Sequence, residues 1–383
     1  MNARRMRIAY LLTQDRGGPA DVTVRLAASL IASGEAEVRV FGPRPARGSE
    51  LLDGHHEQVS IASKGSVAAA RSARSAIRSW RPDLVHAQDR RSGLVCAGMH
   101  RLPAGPRAVV HTYHGVPDDV TERWFRGVPT ASGPSAYTRA VLAADAVVAR
   151  AVSRTVVPAP AMGEFLRRRL RVPATRLTHI DNSAELPAFN PPSGQVRHLV
   201  FVGLLVERKG TLDLLRALAM PGTMPSGATL TVVGDGPQRA DAEQLASRPP
   251  LAGRVRFLGF RTDVPELLAQ GDALVLPSRM EQQPLVVAEA MAAGKPVLAT
   301  DTGGVADMLD VPGAARYLAA PGDVHGLAAT LRELFGDPDP AGTGRALAAE
   351  ARRRFSPAAC AASHLALYRD LVDGARTDGR RSR

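Results

Sequence analysis

Two carboxylates eight positions apart, Glu281 and Glu289, stand in the stretch GDALVLPSRMEQQPLVVAEAMAAGKPVLATDTGG from Gly271 to Gly304. Glu281 falls in a polar loop, and Glu289 about a turn and a half into the helix expected after it. A helix start presents free N–H groups and partial positive charge, which suits a diphosphate. Beside such a group, Glu289 could accept hydrogen bonds from hydroxyls while Glu281 approached a sugar held at the phosphate. Taken alone, two glutamates fit solvated surface acids better.

A histidine offers related chemistry. HTYHGV follows an apolar run, Ala108–Thr112, and puts His114 just past a strand's carboxyl end. An imidazole there can orient or polarise a hydroxyl. His111 is expected to lie back on the strand and pack. No carboxylate or cysteine completes a metal set for His-x-x-His. Glycine turns recur at Gly17-Gly18 and at GDGPQR, with Gly234 and Gly236. The latter is not a dinucleotide fingerprint, since its sixth residue is Arg239. Only three lysines occur, Lys64, Lys209 and Lys295, and the last two flank this chemistry in sequence.

The elements that must position these groups alternate along the chain. Ala273–Leu276 and Pro296–Thr300 are short, continuous apolar runs, as in strands buried on both faces. Between them Pro284 suits a first helical position and Gly294 a helix end. The same strand, turn and helix order recurs from Arg7–Leu12 to Leu177–Ile180, and again from His198–Val202 onward. Pro134–Arg154 reads as a helix, or as a helix–strand pair around Ala146–Val148. The polar pair His55-His56 reads as loop. LPAFNPPSGQ, residues 186–195, is rich in Pro, Gly and Ser and reads as a linker. Expected boundaries are therefore 1–190, 191–355, a final helix over 356–374 and a disordered basic tail over 375–383. In open α/β sheets ligands bind beyond the carboxyl ends of the strands, which is where these loops fall.

PSRMEQQPLVVAEAMAAGKPVLAT, with its Glu-x7-Glu spacing, closely resembles the donor-binding signature of the family 4 retaining glycosyltransferases. The resemblance covers nearly the whole chain and is strongest over 198–310. It implies a GT-B fold, two Rossmann-like α/β domains with parallel sheets facing a central cleft. It also implies a nucleotide-diphosphate sugar as co-substrate, with no further cofactor and no metal. Glu281 and His114 match the family's active-site residues. Gly203, Lys209, Gly234, Gly236, Pro284, Leu285 and Glu289 match its donor site, and Phe260 its loop by the nucleobase. Gly17 and Gly18 match the acceptor loop. One departure stands out: Gly-Arg-Leu becomes Gly203-Leu204-Leu205, so a leucine replaces the arginine that faces the diphosphate. Arg208 is the nearest candidate to compensate. Gln282-Gln283 replaces the usual Gly-Phe. Two readings stay open, a retaining glycosyltransferase and a catalytically impaired sugar-nucleotide-binding or scaffold protein.

At 383 residues, 45% of them hydrophobic, the chain has material for two cores. No apolar run approaches the roughly 20 residues of a membrane span. Two cysteines make no disulfide framework, and a cytoplasmic location is expected. Residues 1–190 carry 27 Lys and Arg against 16 Asp and Glu, while 191–383 are nearly balanced at 22 against 21. A basic first half fits an anionic or lipid-linked acceptor, or peripheral contact with the inner membrane face. Nucleic acid is not expected, since basic and aromatic residues do not interleave.

Overall fold

The computed structural model describes residues 4–60 and 66–381. Lys64 and the last two residues of the expected tail lie outside them. The chain divides into two compact units, each a parallel sheet covered on both faces by helices.

In the first unit seven parallel strands are ordered β3-β2-β1-β4-β5-β6-β7. They are β1 (Met6–Leu11), β2 (Ala36–Gly42), β3 (His56–Gln58), β4 (Leu84–Ala87), β5 (Ala108–Thr112), β6 (Arg154–Val157) and β7 (Leu177–His179). Alternate residues of a strand enter different cores. Ile8, Tyr10 and Leu84 pack on one face, and Ala9, Leu11, Val85 and Ala87 on the other. This is why the strands read as unbroken apolar runs. The final helix, Pro357–Arg381, returns to this unit and buries Ala361, Leu365, Tyr368 and Val372 at helical spacing. It runs on through the stretch expected as a disordered tail. Gly374 and Gly379 stand in this part of the helix, and a single glycine costs about 1 kcal/mol without ending a helix.

In the second unit six parallel strands are ordered β10-β9-β8-β11-β12-β13. They are β8 (His198–Val202), β9 (Thr229–Val233), β10 (Val255–Gly259), β11 (Ala273–Leu276), β12 (Val297–Thr300) and β13 (Leu318–Ala319). Leu199, Phe201 and Val275 again face one core, while Val200, Leu274 and Leu276 face the other.

Three expectations need correction. His56–Gln58 is an edge strand rather than loop; its neighbour β2 supplies the pairing, and His55 and His56 bond the carbonyls of Val38 and Gly42. Ala136–Ala151 is one helix, and its strand comes later, at β6. The β-branched Val147–Val148 imitated a strand, but Thr138, Leu142, Asp145 and Ala149 bury a single helical face. The break between units falls at Ser183/Ala184, and the segment Thr121–Arg123 packs with the second unit. On the helix Val67–Ser79 the basic stripe of Arg71, Arg74 and Arg78 is partly engaged with the protein. Arg74 donates to the carbonyls of Val95 and Ala97, and Arg78 to that of Pro103.

Candidate functional site

In each sheet the chain steps to one side of its first strand and then restarts on the other side. That switch opens a crevice at the carboxyl ends of the two diverging strands, where ligands of open α/β sheets bind. In the second unit the switch lies between β8 and β11, so the loops after those strands meet there.

Lys209 comes from the loop after β8 and Glu281 from the loop after β11. Their Nζ and Oε1 atoms are 2.5 Å apart. Ser278 Oγ donates to the same carboxylate oxygen at 2.8 Å. Glu281 is only 6% exposed. An acid this buried with a cation and a hydroxyl on it is not a solvated surface group. The next turn along the sheet clasps this loop from behind. Gly304 N donates to Gln282 O at 2.8 Å, and Gly303 lies at φ +52°, where a Cβ would fall 1.9 Å from Glu281 O. Only glycine permits that approach. Gly303 N also donates to Glu122 Oε1, 3.0 Å away, from the Thr121–Arg123 segment.

Pro284 occupies the position before the helix Leu285–Ala292, not its first turn, and no side chain caps that helix start. Glu289 lies half-buried in its second turn. On the other side of Lys209, Gly203 N bonds Val233 O and Leu205 N bonds Asp235 O, which zips the loop after β8 to the one after β9. Gly234 and Gly236 both have positive φ, and a Cβ at either would strike the backbone of Gly203 or Leu205. Leu204 and Phe260 are left 61% and 73% exposed at this edge. Arg208 Nη1 donates to Met280 O, so its side chain is turned toward the loop after β11. Lys295 was expected near this chemistry but is not there. Its ammonium donates to Ala269 O, just ahead of β11 and therefore at the opposite edge of the sheet, and burial holds its pKa below the usual lysine range.

The first unit repeats the device between β1 and β4. Asp89, after β4, accepts from Thr13 N, Thr13 Oγ1 and Ser92 N at 2.6 to 2.8 Å, and so ties down the loop that leads to Gly17 and Gly18. Gly17, at φ +92°, immediately precedes the helix Gly18–Ser33. His114 follows β5, its Nε2 3.4 Å from Gln88 Oε1. Burial, with His111 and His364 beside it, pushes the His114 pKa down to about 3. The ring is therefore neutral near pH 7, suited to holding a hydroxyl rather than to exchanging a proton. His111 packs in the strand as expected. The turn after His114 is fixed by Arg90, which donates to Gly115 O at 3.0 Å and to Asp145 at 2.8 and 3.0 Å. Tyr113 also bonds the Asp145 carboxylate, at 2.9 Å. Asp145→Asn should destabilise the chain by about 3 kcal/mol in urea unfolding, because it leaves Arg90 without its buried counter-ion.

Two family models match the chain in tandem: "Glycosyltransferase Family 4" over residues 16–186 and "Glycosyl transferases group 1" over 196–337. The chain belongs to the family 4, group 1 glycosyltransferases. Glycogen synthase of Mycobacterium tuberculosis is 30% identical over 271 residues, which are 68% of this chain and 62% of that one. The chain thus spans about three fifths of the length of that relative. A 2-deoxystreptamine glucosyltransferase of Streptomyces kanamyceticus is 37% identical over 142 residues, 37% of this chain and 36% of that one. Among solved structures, Anabaena HepE in complex with UDP-glucose superposes with a TM-score of 0.73 at 22% identity, covering 94% of this chain and all of that one. Sucrose-phosphate synthase from Thermosynechococcus elongatus gives 0.77 at 22% identity, covering 97% and 100%. These likenesses show the fold, two parallel α/β units of GT-B type.

Within this glycosyltransferase framework the structure gathers Gly203, Lys209, Gly234, Gly236, Phe260, Glu281, Pro284 and Leu285 along one sheet edge. Asp89, Asp145, Glu122 and Asp213 carried no signal in sequence. Each is an isolated acid with a partner 55 or more residues away, beside the nearer contacts of Asp89 with Ser92, Asp145 with Tyr113 and Asp213 with Arg216. Among the described residues no helix is long and apolar enough to cross a membrane.

Proposed function

We propose that this chain transfers a glycosyl group from a nucleotide-diphosphate sugar to an acceptor hydroxyl with retention of anomeric configuration. The observation that carries the reading is the buried Lys209–Glu281 pair across the switch point of the second unit, at the uncapped start of the helix Leu285–Ala292. In this scheme the bond from the anomeric carbon to the phosphate oxygen breaks. The acceptor oxygen bonds the same face of that carbon, and its proton passes to the departing phosphate. Positive charge grows on the sugar and negative charge on the phosphate.

Lys209 and the N–H groups at Leu285 meet the phosphate charge, so the scheme calls for no metal and no separate cofactor. Glu281 stabilises the sugar and His114 holds one of its hydroxyls. Glu289 takes the ribose, while Gly234, Gly236 and Phe260 receive the nucleotide. The acceptor falls to the first unit, near Gly17 and Gly18. The basic excess of that unit favours an anionic or lipid-linked acceptor and supports peripheral contact with an anionic membrane face.

Purified chain should bind at least one of UDP-glucose, ADP-glucose and GDP-mannose by calorimetry, and should hydrolyse it slowly or transfer from it to a lipid extract. No binding across the three would defeat the reading. Binding with neither hydrolysis nor transfer would favour a non-catalytic binding protein, the second reading that the exposed Leu204 supports. Under either reading Leu204→Arg should tighten donor binding by about tenfold, since a charged donor to a phosphate contributes roughly 1.5–3 kcal/mol.

A further inference from the structure

The loop carrying Glu281 and the short 3-10 turn Glu207–Lys209 approach each other outside the strands and α-helices, so something else must set their separation. Two devices are in the backbone. Gly210, at φ +68°, lies so near Pro277 that a Cβ would fall 2.0 Å from Pro277 O. Arg279 N donates to Arg208 O at 2.7 Å.

The third is ionic. Arg279 Nε donates to Asp213 Oδ2 at 2.9 Å and its Nη2 to Asp213 Oδ1 at 3.2 Å. Its Nη1 reaches Glu207 Oε1 at 2.7 Å. Asp213 stands in the first turn of the helix Thr211–Ala219, its side chain 6% exposed, and takes a further bond from Arg216 at 3.2 Å. Arg279 is two residues before Glu281, and Asp213 is four after Lys209. One bidentate pair therefore links the two chain segments close to both functional groups.

We infer that Asp213 and Arg279 are positioning residues for the Lys209–Glu281 pair. This rests on the reading of that pair as the donor site. A fork of two parallel N–H donors on a carboxylate fixes angle as well as distance, which a lysine ammonium cannot do. The Asp213 carboxylate lies between two guanidinium groups, so its charge also keeps them together. Glu207 is 76% exposed, and its share of the clamp is screened by solvent.

A double-mutant cycle tests this in the full chain. Arg279→Lys and Asp213→Asn are each made alone and combined with Lys209→Met. Affinity for UDP-glucose, ADP-glucose and GDP-mannose is measured by calorimetry, and donor hydrolysis is resolved into kcat and KM. Each single clamp variant should lower kcat by about ten- to hundredfold, the usual effect of small misplacements, with KM changed far less. In the Lys209→Met background the same change should cost less than about twofold, because residues that act through one group are not additive. Glu207→Gln should leave kcat nearly unchanged.

An equal loss in both backgrounds, or clamp variants with wild-type kcat, would overturn the inference. So would failure of both clamp variants to fold by circular dichroism, which would make the clamp structural only. If Lys209→Met itself has wild-type affinity and hydrolysis, the reading of the donor site fails, and the inference with it. An impaired Lys209→Met with additive clamp variants removes the inference alone.

Discussion

Glu281→Gln is expected to lower glycosyl transfer by about a thousandfold, near 4 kcal/mol of lost transition-state stabilisation, while the protein stays folded. The glutamine keeps the volume of the buried side chain and can still accept from Ser278 Oγ, now 2.8 Å from Glu281. It loses the negative charge that would face the growing positive charge on the sugar. It also releases Lys209, so donor affinity should hold or rise while turnover collapses. That split between binding and turnover is the signature to look for in calorimetry and initial rates. Turnover within a few-fold of wild type would remove Glu281 from the chemistry. Glu281→Ala is the poorer test. Both substitutions take the counter-ion from a mostly buried ammonium, but alanine also removes the side-chain oxygen that Lys209 and Ser278 meet and leaves a cavity in its place.

Acid should unfold this chain through its first unit. His86, His111 and His364 are all buried there. His86 Nδ1 bonds Tyr368 Oη at 2.6 Å and its Nε2 bonds Thr112 Oγ1 at 2.7 Å, while Tyr368 also meets Tyr10 at 2.9 Å. Burial pushes the pKa of both His111 and His364 down to about 4, and that of His86 well below the ordinary histidine value. These rings are neutral when folded and take up protons when unfolded. Their contribution is thus intact above about pH 6.5 and is lost as the pH falls toward the folded values. For His111 and His364 the loss at pH 5 is about 2 kcal/mol each, relative to an unfolded pKa near 6.5. Urea unfolding at pH 7.5, 6 and 5 should show this steep fall. A flat profile over that range would mean that the cluster accepts protons without unfolding.

Much of this was legible in the residues. Leu84–Ala87, Ala108–Thr112, His198–Val202, Thr229–Val233 and Ala273–Leu276 have the boundaries that their apolar runs predict. A strand covered on both faces must be apolar at every position, and that signal is local. Glu281, Glu289 and Lys209 were visible for a different reason, the resemblance of their surroundings to the donor-site signature of the family. The polar edge strand His56–Gln58 was not, because an edge position asks only for hydrogen bonds to β2. The extent of the final helix was also misjudged, since the sequence ARTDGRR over 375–381 shows no apolar periodicity.

Residue types, their order and the strand-loop-helix rhythm determined by themselves that two parallel α/β units would form and which loops would line their carboxyl edges. Tertiary structure alone decided that Lys209 meets Glu281 across 72 residues, that Asp213 and Arg279 hold them, and that Lys295 is carried to the far edge. Apolar burial follows local periodicity. A charged group is placed instead by whichever opposite charge or carbonyl the folded backbone brings within about 3 Å, and no pattern within one segment encodes that partner.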